Sequence, residues 1–335
     1  MKARKNHHNG IKAVVMGGGT GTFMVLSSLK HFVSDISAVI TMADDGGSTG
    51  VLRDELGVLP PGDVRQSLVA LSSSSEVMRE LFNYRFSTGT FNGHSFGNIF
   101  LTALEKVTGS FAKAVVTAGE ILHITGQVIP VTTDNVRLCV ERGDGSIVQG
   151  QKMMISSGFF KGEKTRFFLE PKATINPLAK KAILEADLII LGPGNLHSSL
   201  IPILLTDGMS ETLKEAKGKK IYITNMMTQP GQTENFSVTD FVDEVEKYAG
   251  KDAFDYVVYN DKKPAQELLD TYAKEGEKLV SANKKDFEGK NYKAIGENLV
   301  SSKIIPPKEG DKIHRPLIRH DGDKLTRLLM KIYFS

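Results

Sequence analysis

The chain has 335 residues, 40% hydrophobic and 24% charged, with a net charge of +3 and one cysteine, Cys139. That is ordinary globular composition, long enough to bury a substantial core in one large domain or two. The charge excess is too small and too scattered along the sequence to argue for nucleic acid. One thiol forbids an internal disulfide and fits a reducing cytoplasm, and no apolar run approaches the ~20 residues of a membrane span.

Residues 1–10 carry no apolar signal segment and read as a flexible tail. Ala13 to Met16 is a short apolar, β-branched run, the pattern of a buried strand. Gly17-Gly18-Gly19-Thr20-Gly21-Thr22 follows, and Val25, Leu26, Leu29, Phe32 and Val33 then recur at helical spacing. A second buried run, Ala38 to Met42, ends in Asp44-Asp45-Gly46-Gly47-Ser48. Leu59-Pro60-Pro61-Gly62-Asp63-Val64-Arg65-Gln66 predicts a turn feeding a helix with Asp63 as its N-cap. Helices are expected over 76–82, over 99–107 after Gly93-His94-Ser95-Phe96-Gly97-Asn98, and over 110–122.

From about 127 to 170 the periodicity changes: Val136 to Glu141 alternates, Gly143-Asp144-Gly145 turns and Ser146 to Ile155 returns as a second strand, which predicts an antiparallel ribbon inserted in the α/β core. Its expected role is cover or dimer contact. The core resumes with a helix from Pro177, a strand ending at Leu191, and the turn Gly192-Pro193-Gly194-Asn195-Leu196-His197-Ser198 opening another helix. Further strands are expected at 219–224, ending in Asn225, and at 254–259. Ser237-x-x-Asp240 caps an amphipathic helix. The segment 262–310 carries no motif, and the last helix, with Leu325, Leu328, Leu329 and Ile332 in register, is expected to dock on the sheet.

Five apolar strands each end in a polar or glycine loop, and open α/β sheets bind ligands at that edge. Glycines let backbone approach a ligand closely, and free N–H groups at a helix start favour an anion. The two glycine turns can therefore cradle a diphosphate, although such turns also serve simply to pack a helix against a strand. Thr22 stands where the third glycine or alanine of a dinucleotide fingerprint belongs, and a Walker-type Gly-Lys-Ser/Thr is absent. Asp44 and Asp45 can hold a divalent cation, bind a ribose or accept a proton, or merely form an Asx-turn, and only one of two neighbours is expected to face a ligand. Arg65 either reaches back towards a phosphate or lies on the surface. His94 is an acid–base candidate or a structural histidine.

GGGTGT, ADDGGSTG, PPGDVRQSL, GHSFGN, LGPGNLHSSLIP and TNMMTQPGQT, in this order, resemble the YvcK-type gluconeogenesis factors of the superfamily of the 2-phospho-lactate transferase CofD. The resemblance implies a single CofD-like, Rossmann-related α/β domain over 11–335, a mostly parallel sheet with helices on both faces and the antiparallel β insertion. It implies nucleotide contacts from Gly17, Gly18, Gly19, Thr20, Gly21, Thr22, Asp44, Arg65, Asn98, Gly192, Gly194, Asn195, Ser198 and Asn225. Asp44 and Asp45 would hold Mg²⁺ and take part in catalysis if the protein is an enzyme transferring a phospho-lactyl or similar group. The YvcK-type branch implies instead a cytoplasmic regulatory protein that binds a UDP-sugar such as UDP-N-acetylglucosamine and supports cell shape and wall synthesis during gluconeogenic growth. It would act as a homo-oligomer, with regulatory protein partners and without nucleic acid.

Overall fold

The computed structural model describes residues 8–150, 165–302 and 317–335. β1 (His8–Gly17) pairs in parallel with β2 (Val33–Ile40) on one side and β7 (Leu188–Leu191) on the other. Val15 lies level with both Ala38 and Ile190, so the apolar run recognised in the sequence is the buried centre of the sheet. β3 (Gln127–Pro130) extends the sheet beyond β2, and β8 (Lys219–Ile223), β9 (Tyr256–Asn260) and β10 (Lys293–Glu297) extend it beyond β7. The order β10-β9-β8-β7-β1-β2-β3 reverses direction between β1 and β7. Right-handed crossovers then put the helices of the two halves on opposite faces.

α1 (Gly19–Leu29) starts within two residues of the end of β1 and packs Val25, Leu26 and Leu29, all fully buried. Each such side chain contributes roughly 1.5–3 kcal/mol of burial. α2 (Gly47–Leu56) and α3 (Gly62–Leu71) follow β2 in quick succession. α4 (Glu76–Asn83), α5 (Phe96–Thr108) and α6 (Phe111–Ile121) start at Ser75, Ser95 and Ser110, whose hydroxyls each accept a first-turn N–H. The helix Gly322–Phe334 packs against α1, with Leu325 and Leu329 fully buried.

The antiparallel ribbon is β4 (Arg137–Glu141) between β5 (Ile147–Gln149) and β6 (Arg166–Glu170). Its expected start at 127 is corrected: Gln127–Pro130 belongs to the main sheet, paired in parallel with β2. The expected second strand, Ser146 to Ile155, is a strand only over Ile147–Gln149, and its part from 151 on lies outside the described residues. The parallel sheet has seven strands where five were expected. β3 and β10 are edge strands of four and five residues, too short for a diagnostic apolar run. No described helix is long and apolar enough to cross a membrane.

Candidate functional site

A cleft of about 470 Å³ opens where the strand order reverses, between the turns that follow β1 and β7. Gly18, Gly19, Thr20 and Gly21 form one wall, and Pro193, Gly194, Asn195 and Ser198 the other. The turns touch: a Cβ on Gly21 would run into the Pro193 carbonyl. Two helices begin here. One is α1; the other opens as a π-turn, Leu196–Leu200, and continues over Ile201–Leu204. The N–H groups of Thr20 and Gly21 have no partner among the described residues, as the first turn of a helix dictates. In the second helix, Asn195 caps the turn, its Oδ1 accepting the Ser198 N–H at 2.9 Å and its Nδ2 donating to Gln229 Oε1 at 2.6 Å. Asn225 Nδ2 donates to the Gly194 carbonyl at 2.9 Å and so fixes the glycine turn from beside it.

Ser198 Oγ, Asn225 Oδ1 and His320 Nε2, on residues lining this cleft, are buried without a hydrogen-bond partner among the described residues. Orphaned polar atoms are costly, and a polar ligand in the cleft is what would satisfy them. Burial pushes the His320 imidazole down to about 4, against a weaker pull upward from the Thr224 backbone, so it is neutral near pH 7.

Two aspartate carboxylates face the cleft. Asp44 stands at the end of the β2 loop, its Oδ1 accepting the Gly46 N–H at 3.0 Å. Asp63 lies in the first turn of α3, and its Oδ1 accepts the Gly19 N–H at 3.0 Å. Burial, and then the charge of Asp44, push Asp63 up to about 7, with the Gly19 N–H and Arg65 pulling the other way. Asp44 is also raised by burial, opposed by Gly46 and the Thr49 hydroxyl.

The positions read from the sequence divide accordingly. Gly18 to Gly21, Asp44, Gly194, Asn195, Ser198 and Asn225 line the cleft. Gly17, Thr22 and Gly192 lie just behind it, where a Cβ on Gly17 would meet the buried Thr22 hydroxyl. Asp45 turns away, its carboxylate set against Gly150 beside the ribbon. Arg65 is not among the cleft-lining residues and is not on the surface: its guanidinium is buried and donates to Asn98 Oδ1, Asn83 Oδ1 and the Phe82 carbonyl. Asn98 belongs to that same network, donating to Ser48 Oγ at 3.3 Å, with His94 Nδ1 3.0 Å from the same hydroxyl. Asp63 does not cap α3, whose cap residue is Pro61.

The site also contains residues the sequence did not single out: Asp63 as a cleft carboxylate, Gln66, Gln229, Tyr272, Glu277, Arg319 and His320. Asp63 and Gln229 lay inside quoted motifs. Tyr272, Arg319 and His320 carry no local signal and are assembled only by the fold. As a cation site, Asp44 and Asp45 diverge and do not fit one ion. Asp44 and Asp63 converge on the cleft and do fit, as two hard oxygen donors whose mutual repulsion a divalent cation would relieve. No group of three or more acidic, His or Cys ligands is present among the described residues.

The model of the 2-phospho-L-lactate transferase CofD family matches residues 13–300. The chain is 38% identical to the gluconeogenesis factor of Bacillus subtilis over 324 residues, covering 96% of this chain and 98% of that one. It is 37% identical to the gluconeogenesis factor of Listeria innocua over 321 residues, covering 95% and 94% respectively. A crystal structure of a UPF0052 family member from Bacillus halodurans superposes with a TM-score of 0.87 at 33% identity, covering 96% of this chain and 98% of that one. With a cleft at the sheet's reversal point and this similarity along nearly its whole length, the chain belongs to the CofD family, among its YvcK-type gluconeogenesis-factor members.

Proposed function

We propose that the cleft binds a nucleoside-diphosphate sugar of the UDP-N-acetylglucosamine kind and that the protein acts by binding it, as a regulator of growth on gluconeogenic carbon and of cell shape and wall synthesis. One observation carries this reading: two helix N-termini meet across glycine turns that leave backbone N–H groups facing one cleft. That is the arrangement a diphosphate recognises. The cleft volume of about 470 Å³ suits a ligand of this size. Asn225, Ser198 and His320 offer hydrogen bonds to the sugar and nucleoside beyond the phosphates.

The convergence of Asp44 and Asp63 favours a second reading, a transferase of a phospho-lactyl or similar phosphoester group from a nucleoside-diphosphate donor. Asp44 and Asp63 would then hold Mg²⁺, which when bound supplies charge neutralisation at the transferred phosphate. The chain's own contribution would be to orient the donor through the two glycine turns and to exclude water from the cleft floor.

Calorimetric titration of the purified protein with UDP-N-acetylglucosamine, GDP and NAD, with and without Mg²⁺, separates the readings. Selective UDP-sugar binding indifferent to Mg²⁺ supports the regulator; Mg²⁺-dependent GDP binding supports the transferase. Asp44→Asn sharpens the distinction, because it abolishes Mg²⁺ dependence and turnover in the second reading and alters only affinity in the first. If none of the three ligands binds, the diphosphate cradle is wrong.

A further inference from the structure

A groove larger than this cleft lies away from it, along the open edge of the sheet. Its volume is about 1020 Å³, and its lining runs the whole length of β10, from Lys293 to Glu297, with walls from the segment 279–282 and from the last helix through Leu328, Lys331 and Ile332. β10 ends the sheet, and its outer side has no partner strand among the described residues. The register with β9 determines which backbone groups are free. The Lys293 N–H donates to the Asp255 carbonyl and the Glu297 carbonyl accepts the Asp261 N–H, so 293, 295 and 297 face β9. Ala294 and Gly296 direct their N–H and C=O groups outward, where no described residue bonds them.

Five lysines converge on this edge: Lys262 and Lys263 after β9, Lys284, Lys293 and Lys331. Among the described residues none forms an ion pair, and the groove's acidic side chains are Asp261 and Glu297. The charge that looked scattered in the sequence is gathered by the fold. Tyr259 and Phe287, with rings 5.3 Å apart, and Tyr292 give the groove an aromatic floor.

Lysines on an edge strand commonly serve only to prevent edge-to-edge aggregation. Such guards sit on the strand itself, whereas here only Lys293 does; the other four come from separate segments and surround a groove. We propose that this edge is a docking site for a partner protein, which adds an acidic extended segment as an eighth strand beside β10. Its main chain pairs with Ala294 and Gly296, and its carboxylates meet the five lysines, so that the backbone gives affinity and the charges give selectivity. A groove running the length of an open strand, with unpaired amides spaced two residues apart, matches a peptide backbone and has no counterpart in a nucleic-acid strand.

The test uses the full chain and a fluorescently labelled ten-residue peptide of alternating Glu and Val. Its Lys-for-Glu counterpart, a version with proline at alternate positions, and an oligo-dT strand serve as competing probes. The acidic peptide is expected to bind with an affinity that falls with salt, and to slow hydrogen exchange at the Ala294 and Gly296 amides. The proline version should bind at least about tenfold more weakly because it cannot pair along the strand. The double variant K293E/K331E should lose at least about tenfold in peptide affinity while melting normally and keeping its nucleotide titration, since neither residue lies in the cleft. Equal binding of the acidic and basic peptides, protection elsewhere than β10, an unaffected double variant, or preference for oligo-dT would each overturn the proposal.

Discussion

The Asp63 carboxylate accepts the Gly19 N–H at 3.0 Å, so an anion belonging to the protein already sits at the N-terminus of α1. The two residues are 44 positions apart, and the bond ties α1, the helix after β1, to α3, the second helix after β2. It also means that an incoming phosphate meets a carboxylate at the mouth of its own cradle.

The protonation of Asp63 therefore sets a pH dependence of stability. A carboxyl held near 7 when folded, against an ordinary 3.8, is penalised on ionisation. The penalty begins as pH rises past 3.8 and is complete once pH passes about 7. Asp63→Asn keeps an acceptor for Gly19 and removes the charge. In chelator, the variant is expected to be more stable than the parent by about 1–3 kcal/mol at pH 8, with the difference vanishing near pH 4. Urea unfolding across that range checks it; a pH-independent difference would show that the charge is not the cause.

His320 acts in the opposite direction. Its folded value of about 4 lies below the ordinary 6.5, so charging it costs stability as pH falls from 6.5 and the loss levels off below about 4. His320→Asn should flatten the acid limb of the stability profile by up to about 1.4 kcal/mol per pH unit within that window. Buried His197, also lowered to about 4, would leave a residual slope. Thermal melts at pH 4.5, 5.5 and 6.5 measure the change.

Gly18 is extended, so conformation does not demand glycine there; space does. A Cβ would run into the Asp63 carboxylate and stand 3.0 Å from Thr41 Cγ2. Gly18→Ala is expected to cost about 1–3 kcal/mol of stability and to weaken UDP-sugar binding by more than tenfold, because the cradle must open to admit the methyl group. Unfolding and calorimetry on the same preparation test both parts.

Arg65 and Asn225 should separate stability from affinity. Arg65→Ala breaks a buried network of three acceptors and is expected to lose about 2–4 kcal/mol of stability. Asn225→Ala removes the tie to the Gly194 carbonyl and one orphaned acceptor in the cleft, with about tenfold weaker ligand binding and a nearly unchanged melt. The reverse pattern would return Arg65 to the binding site.

The parts of the site that were legible in the sequence are those made within one stretch of chain. A buried strand, a glycine turn and a helix start are contiguous, so Gly18 to Gly21 and Gly194 to Ser198 could be placed at the sheet edge from local pattern alone, and β-branched runs marked the central strands. The short edge strands β3 and β10 escaped because four or five residues are too few to carry a decisive period. Side-chain direction escaped for a different reason. Asp63 and Arg65 are two residues apart in one helix, yet one faces the cleft and the other Asn98, and only the packing of α3 against α1 and α5 decides which. Tyr272, Arg319 and His320 reach the cleft from segments remote in sequence from both glycine turns, and the five lysines of the β10 groove are likewise dispersed. Local chemistry determined what each turn is able to bind. The sheet order, by bringing β1 beside β7 and leaving β10 at the edge, decided which residues share a site.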